Sequence, residues 1–126
     1  MITSKVPIYN MASGTIKGEV NEVLTVTVHG YITHYLSARR FGNMIHLTGL
    51  FVVNTALPIN TDFLYISRAS GSVVSTETAQ VPLISIVGQA NNTMHMNSNS
   101  NHFINNQSQL ETGTYNVDCW YKCKVS

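Results

Sequence analysis

A single tryptophan near the end of the chain is the residue best suited to hold a small ligand. Trp120 falls in segment 114–125, whose residues alternate between apolar and polar types. In a strand this alternation sends successive side chains to opposite faces, so Trp120 shares the polar face with Asp118 and Lys122. An aromatic face covers the apolar side of a sugar ring, while neighbouring polar groups bond to the hydroxyls. The segment therefore favours a saccharide site, with core or subunit packing of Trp120 as the alternative.

Further candidates lie in an Asn-rich segment and among the arginines. His95, Asn101 and His102 flank the run Asn97-Ser98-Asn99-Ser100, which predicts a turn between two short strands. Arg39 offers a forked guanidinium donor. A solvated turn is the alternative for the Asn-rich hairpin. The candidate saccharide-binding residues are Trp120, Asp118, His95, His102, Asn101 and Arg39.

The histidines and cysteines favour neither a metal site nor a disulfide, and no cofactor is predicted. The five histidines contain no H-x-H or H-x-x-x-H pair, although one histidine from each subunit of an oligomer meeting on the symmetry axis stays open. Cys119 and Cys123 share one face of the predicted strand. Four residues of strand separate their Cα atoms by about 13 Å, whereas a disulfide needs roughly 7 Å or less. We interpret both cysteines as small buried hydrophobes.

Motifs of catalysis are absent from the sequence. The six acidic residues are scattered, with no spacing that indicates the facing pair of carboxyl groups used in glycoside hydrolysis. There is no G-x-S-x-G nucleophile motif and no glycine loop for phosphate. We therefore predict that the protein is not an enzyme.

Composition narrows the partners. Only 10% of residues are charged and the net charge is +1, without the clustered positive residues of a nucleic-acid-binding protein. No apolar run approaches the roughly 20 residues of a membrane helix, and the opening residues Met1 to Lys5 lead into Pro7 rather than into the apolar core of a signal peptide. We expect no nucleic-acid partner, no membrane insertion, and synthesis in the cytoplasm without a signal peptide.

Short alternating segments separated by Asn, Ser, Thr and Gly predict an all-β fold. The expected architecture is a compact antiparallel β-barrel or β-sandwich of about eight short strands. Gly42-Asn43 predicts a two-residue hairpin turn with Gly first. Segment 44–53 is predicted as the longest strand, and its apolar second half suggests burial on both sides or an interface. The predicted strands are 23–28, 34–41, 44–53, 63–67, 81–87, 93–96, 102–104 and 114–125.

Residues 1–21 differ from the rest, because Pro7, Ser13-Gly14 and Gly18 interrupt any period. We interpret them as an N-terminal lead or the end of a neck or shaft. Residues 22–126 are then the β-barrel head domain. Segment 69–80 is predicted as a polar loop, and Pro82 as an edge or entry position of the strand that follows.

Two segments resemble proteins of a known class. Residues 37–49, SARRFGNMIHLTG, resemble the pattern R-x-G-N-x-V-x-ψ-x-G (ψ apolar) in C-terminal domains of tail-fibre and baseplate proteins from phages of Gram-positive bacteria. In those chains a Leu-Pro loop and a short strand follow, as Leu57-Pro58 and residues 63–66 do here. Residues 113–121, GTYNVDCWY, resemble their closing pattern G-x-Y-x-ψ-x-x-W-Y. The resemblance covers roughly residues 23–125.

The resemblance implies a receptor-binding head domain of the lactococcal-phage type. Such domains are compact β-barrels that assemble as trimers, and they bind host cell-wall saccharides near subunit boundaries. The H-x-D pair followed by Trp that some of those sites use is absent, so the resemblance itself points only to Trp120. It also implies a location in the virion, at the tail tip or baseplate, with other tail or baseplate proteins as neighbours. Two alternatives are a structural tail or baseplate module without a ligand, and a non-viral lectin-like adhesion module.

Overall fold

The computed structural model describes residues 21–85, 92–106 and 108–126. Within these ranges the chain forms nine strands and no helix, so none of the described segments is a helix that could cross a membrane. In chain order the strands are β1 (Asn21–Val28), β2 (Ile32–Phe41), β3 (Met44–Val53), β4 (Asp62–Ser67), β5 (Val73–Ser75), β6 (Ala79–Ser85), β7 (Asn92–Met96), β8 (His102–Asn105) and β9 (Gly113–Val125).

Eight of the strands close into an antiparallel barrel. The order around the wall is β9-β3-β2-β1-β4-β8-β7-β6, and β6 pairs with β9 to complete the circle. Strand β5 lies outside this circle and pairs with the last residues of β9, from Cys123 to Val125. The predicted all-β barrel is confirmed. Closure pairs the two strands that would be exposed edges in an open sheet of this size.

The β2–β3 hairpin fixes the register of one side of the barrel. Its turn consists of Gly42, with φ of 64°, and Asn43. A first turn residue with positive φ matches the predicted turn type. Because the loop has two residues, Phe41 lies opposite Met44, and Arg39 lies opposite His46 two residues further along.

The barrel is filled by the inward side chains of all its strands. Aromatic rings meet at one level, where Phe51 packs against Phe63 and Tyr115 with ring centroids 5.7 and 5.5 Å apart. Cys119 and Cys123 are free thiols on the inner face of β9, as the alternation predicts. The outward residues of the same strands are therefore the ones available to a ligand.

One end of the barrel holds a polar network that the sequence did not predict. Arg40 points inward and is 5% exposed, and its guanidinium lies 2.8 Å from the carboxylate of Glu22. Arg68 approaches the same carboxylate at 3.2 Å. The hydrogen bond from Arg40 is the largest influence on Glu22, and together with the contacts to Arg68 it outweighs desolvation and lowers the pKa of this carboxyl. A buried arginine is tolerated here because its charge is paired and hydrogen-bonded.

Several predicted boundaries are corrected. Segment 69–80 contains β5 and the first residues of β6, so it is not a simple loop. The longest described strand is β9 with 13 residues, whereas β3 has 10. Residues 1–20 of the predicted lead and residues 86–87 of a predicted strand lie outside the described ranges, while Asn21 begins β1.

Candidate functional site

A row of outward side chains crosses five neighbouring strands of the barrel wall. Arg39 on β2 lies opposite His46 on β3, and His46 lies opposite Trp120 on β9. On the other side of β9, Gln80 on β6 lies opposite His95 on β7. We call these five residues the recognition row. Cross-strand neighbours on one face of a sheet lie close enough for direct contact.

Trp120 is the central residue of the row. Its indole lies parallel to the imidazole of His46, with ring centroids 4.3 Å apart and an angle of 5° between the planes. Phe41 packs against it at 5.7 Å. His46 Nε2 in turn lies 2.7 Å from Asp118 Oδ1. One face of the indole is thus covered and held, yet the side chain remains 54% exposed.

A trough opens on the other side of Trp120, between β6 and β9. Within the described residues, these strands pair only at Tyr115↔Ser85 and Asn116↔Ile84. Continuing that register would place Pro82 opposite Asp118. The part of the trough beside Trp120 has a volume of about 240 Å³. It is lined by Glu77, Thr78, Ala79, Gln80, Val81, Pro82, Asp118, Cys119, Trp120, Tyr121 and Lys122.

Pro82 explains why the β6–β9 ladder stops. Its partner on β7 is Thr93, whose carbonyl accepts a hydrogen bond from the backbone of Asn106 at 3.4 Å. In an antiparallel pair, two opposite residues that do not bond to each other direct their backbone groups away from each other. Since the Thr93 backbone is directed toward Asn106, the Pro82 backbone is directed toward β9. Proline has no N–H to donate to the ladder, and this position faces the trough. The prediction of Pro82 as an edge residue agrees with this geometry, although it is the fourth residue of β6.

The wall opposite Trp120 is polar and ordered. His95 Nδ1 lies 2.8 Å from Gln80 Oε1, and His95 Nε2 lies 2.8 Å from Asn97 Oδ1. Asn106 donates a further hydrogen bond to Gln80 Oε1 at 3.4 Å. These contacts fix the Gln80 amide at the edge of the trough. Because His46 is stacked on the β3 side of Trp120, the other face of the indole is turned toward β6, the strand that carries Gln80.

Of the six predicted site residues, Trp120 and Asp118 line the trough, while Arg39 and His95 lie at the two ends of the recognition row. Asp118 bonds to His46, which lies beside Trp120 in the row. Arg39 lies two strands from Trp120, and its Nη1 donates to Asn21 Oδ1 at 2.7 Å.

His102 and Asn101 lie away from the trough. His102 on β8 pairs with Tyr65 on β4, and its Nε2 lies 3.5 Å from Asp62. The side-chain amide of Asn101 donates to the backbone carbonyl of Ile66 at 3.3 Å, and the backbone carbonyl of Asn101 accepts from the Ile66 N–H. This residue therefore holds a loop in place.

Two residues of the row were missed by the sequence analysis. His46 could have been found, since a two-residue turn at Gly42-Asn43 already sets it opposite Arg39. Gln80 carried no such signal, because it falls in the segment predicted as a loop. Its place beside Trp120 depends on how β6 and β9 meet, which no local pattern states.

The trough presents groups suited to stacking and hydrogen bonding. Among the described residues, no group of three or more His, Cys, Asp or Glu is arranged to hold a metal ion. Burial, with a smaller contribution from Asp118, raises the pKa of Cys119 to about 12, so this inward-facing thiol is protonated at neutral pH. A protonated thiol is a poor nucleophile. What the site presents is an aromatic face, a fixed amide and several hydroxyl-compatible polar groups.

Comparison of the chain with family models, curated proteins and solved structures finds no match.

Proposed function

We propose that this protein is the host-recognition domain of a phage tail or baseplate, and that it binds a cell-surface saccharide in the trough without cleaving it. The observation that carries the proposal is the half-exposed Trp120 indole, which is stacked on His46 and lines, together with Gln80, a space of about 240 Å³. The resemblance of segments 37–49 and 113–121 to phage tail proteins supports the phage assignment.

The two walls match the two kinds of surface on a sugar. The C–H face of a pyranose stacks on an aromatic ring, while its hydroxyls donate to and accept from planar polar groups. Gln80 and Asp118 provide such groups, and both are already positioned by hydrogen bonds to histidines. Groups that are ordered before binding lose less entropy when the ligand arrives.

Binding without cleavage follows from the state of the carboxylates. Glu77 and Asp118 both line the trough, as a glycosidase pair would. A glycosidase acid, however, is usually held in an apolar pocket. Both of these side chains are exposed, and that of Asp118 is 74% exposed and bonded to His46.

We further propose that the domain works as a homotrimer at the tail tip or baseplate, in contact with other virion proteins. A single shallow saccharide site binds weakly, and three linked copies raise the effective affinity on a cell wall. The partly buried outer residues Leu50 and Val52 of β3, next to the exposed Tyr35, are compatible with subunit contact.

The test is binding of the purified domain to cells of a susceptible host. We expect wild-type domain to bind and to block phage adsorption, and the Trp120→Ala variant to do neither. Tyr31→Ala is the matched control, because Tyr31 is another exposed aromatic residue that lines neither the trough nor the proposed subunit contact.

Each alternative predicts a different result. A structural module without a ligand predicts that wild-type domain fails to bind the wall of any susceptible host. A non-viral adhesion module predicts cell binding that Trp120→Ala abolishes, with no effect of the domain on phage adsorption.

A further inference from the structure

The trough continues along the strands beyond Trp120. A second space of about 280 Å³ adjoins the first and shares three of its lining residues, Val81, Pro82 and Asp118. Its other lining residues are Ile84, Asn116 and Val117. The two spaces form one continuous trough parallel to β6 and β9, which we divide into a first half at Trp120 and a second half at Ile84.

The two halves differ in chemistry. The first half presents Trp120 together with amide, hydroxyl and charged groups, including Gln80 and Lys122. In the second half the β6 side is entirely apolar, with Val81, Pro82 and Ile84. Ile84 is exposed on the barrel surface and is not part of the described core. Among the side chains of the residues that line this half, only those of Asn116 and Asp118 are polar, and both come from β9.

This apolar side would penalise a fully hydroxylated sugar. A hydroxyl pressed against Ile84 and Pro82 loses its bonds to water without gaining a partner. A methyl group in the same place releases water from apolar surface on both sides. The second half runs along β9 from Asp118 to Asn116, so it extends from about 7 to about 13 Å from Trp120, beyond the sugar unit stacked on the indole. The group that enters it belongs to the sugar unit next to the one stacked on Trp120.

We infer that the ligand is at least a disaccharide, and that the second unit places a methyl-bearing substituent against Ile84 and Pro82. Such a methyl occurs in a 6-deoxy sugar and in an acetamido group. The inference rests on the proposed saccharide binding at Trp120 and adds the specificity of the neighbouring subsite.

The first experiment measures affinity for cell-wall polysaccharide purified from a susceptible strain. We expect Ile84→Asn to weaken binding at least about four-fold, the effect of losing one buried methyl contact. Ile59→Asn is the control, since Ile59 is exposed in a loop and does not line the trough. Trp120→Ala should abolish binding in the same assay.

The second experiment identifies the source of the methyl by competition. L-rhamnose is compared with L-mannose, which carries a hydroxymethyl in place of the methyl, and N-acetylglucosamine is compared with glucose. We expect the methyl-bearing member of one pair to compete about four-fold better, and Ile84→Asn to remove that difference.

The outcomes separate the two proposals. If Trp120→Ala abolishes polysaccharide binding while Ile84→Asn binds like wild type, the methyl subsite is wrong and the saccharide site stands. If Trp120→Ala binds like wild type, the saccharide site itself is wrong, and the subsite inference falls with it.

Discussion

The indole of Trp120 and the imidazole of His46 lie parallel with 4.3 Å between their centroids, although 74 residues of chain separate them. The stack forms because β3 and β9 pair with His46 opposite Trp120. Asp118, two residues before Trp120, then reaches His46 Nε2 from the same strand. One histidine thereby positions both the aromatic and the acidic group of the trough.

Replacing that histidine should therefore weaken ligand binding without unfolding the barrel. We expect His46→Ala to reduce affinity for purified cell-wall polysaccharide about five-fold, because an aromatic pair contributes about 1 kcal/mol. Trp120 is the only tryptophan, so its fluorescence anisotropy in the free domain should fall as the indole gains freedom. His102→Ala, on β8, should change neither quantity. Unchanged anisotropy in His46→Ala would show that Phe41 alone holds the ring.

The Arg40–Glu22–Arg68 network should make stability depend on acid. The pKa of Glu22 is lowered from its ordinary value of 4.5, chiefly by the hydrogen bond from Arg40. A carboxyl with a lowered folded-state pKa stabilises the fold above its ordinary value, and this contribution is lost as pH falls through the lowered value. We expect the unfolding free energy from urea titrations to drop below pH 4.5 in the wild type.

The Glu22→Gln variant tests the source of that drop. It should be less stable than the wild type at pH 7, since two guanidinium groups lose their carboxylate partner. The difference should shrink as pH falls, because the wild-type carboxyl is then neutral too. Glu77→Gln, at an exposed position, serves as the control. A pH profile of Glu22→Gln that parallels the wild type would assign the acid sensitivity to other carboxyl groups.

Gly49 occupies a position in the barrel wall that other residues cannot adopt without strain. Its φ is +131°, and a Cβ there would collide with the backbone carbonyl of Tyr35 on the neighbouring strand. Strain of this kind costs on the order of 1–3 kcal/mol, and the collision adds to it. We expect Gly49→Ala to lower the unfolding free energy by at least about 2 kcal/mol in chemical denaturation.

A matched glycine substitution gives the comparison. Gly30 has no atom within 4 Å of the Cβ it would gain, so Gly30→Ala should leave stability nearly unchanged. Equal stability of the two variants would mean that β2 and β3 separate easily at Gly49, which their continuous ten-residue pairing does not favour.

Local patterns in the sequence predicted much of the barrel and less of the site. The alternation in segment 114–125 correctly placed Trp120 and Asp118 outside, and Cys119 and Cys123 inside. The same alternation requires one of the adjacent residues Arg39 and Arg40 to point inward. Arginine is rarely buried, so the sequence did not indicate that Arg40 would be the inward residue.

The parts that could not be predicted depend on pairing between distant segments. The meeting of β3 with β9, and the separation of β6 from β9, are decided by closure of the whole barrel. His46 and Gln80 enter the site only through these pairings. The composition of the Asn-rich turn suggested a ligand site, but Asn101 and His102 contact residues of β4 and lie on the β4–β8 side of the barrel.

The gap between β6 and β9 should close if position 82 regains a backbone N–H. The backbone carbonyl of Lys122 accepts a hydrogen bond from the Thr76 N–H, so the Lys122 backbone is directed toward the β5–β6 side. Because the direction alternates along a strand, the backbone of Asp118, four residues earlier, is directed to the same side. Pro82→Val supplies a donor that can reach the Asp118 carbonyl and continue the ladder past Asn116 and Ile84. A narrower trough leaves less room for a ligand beside Trp120.

We therefore expect Pro82→Val to bind purified cell-wall polysaccharide at least about ten-fold more weakly while remaining as stable as the wild type, because the added hydrogen bond of about 1 kcal/mol offsets the greater freedom of the unfolded chain. Hydrogen exchange should show new protection at the amide of residue 82. Pro58→Val, in the loop after β3, is the control for losing a proline elsewhere, and it should not affect binding. New protection at residue 82 with wild-type affinity would place the ligand outside the trough, whereas lost affinity with the new protection ties recognition to the break in the β6–β9 ladder.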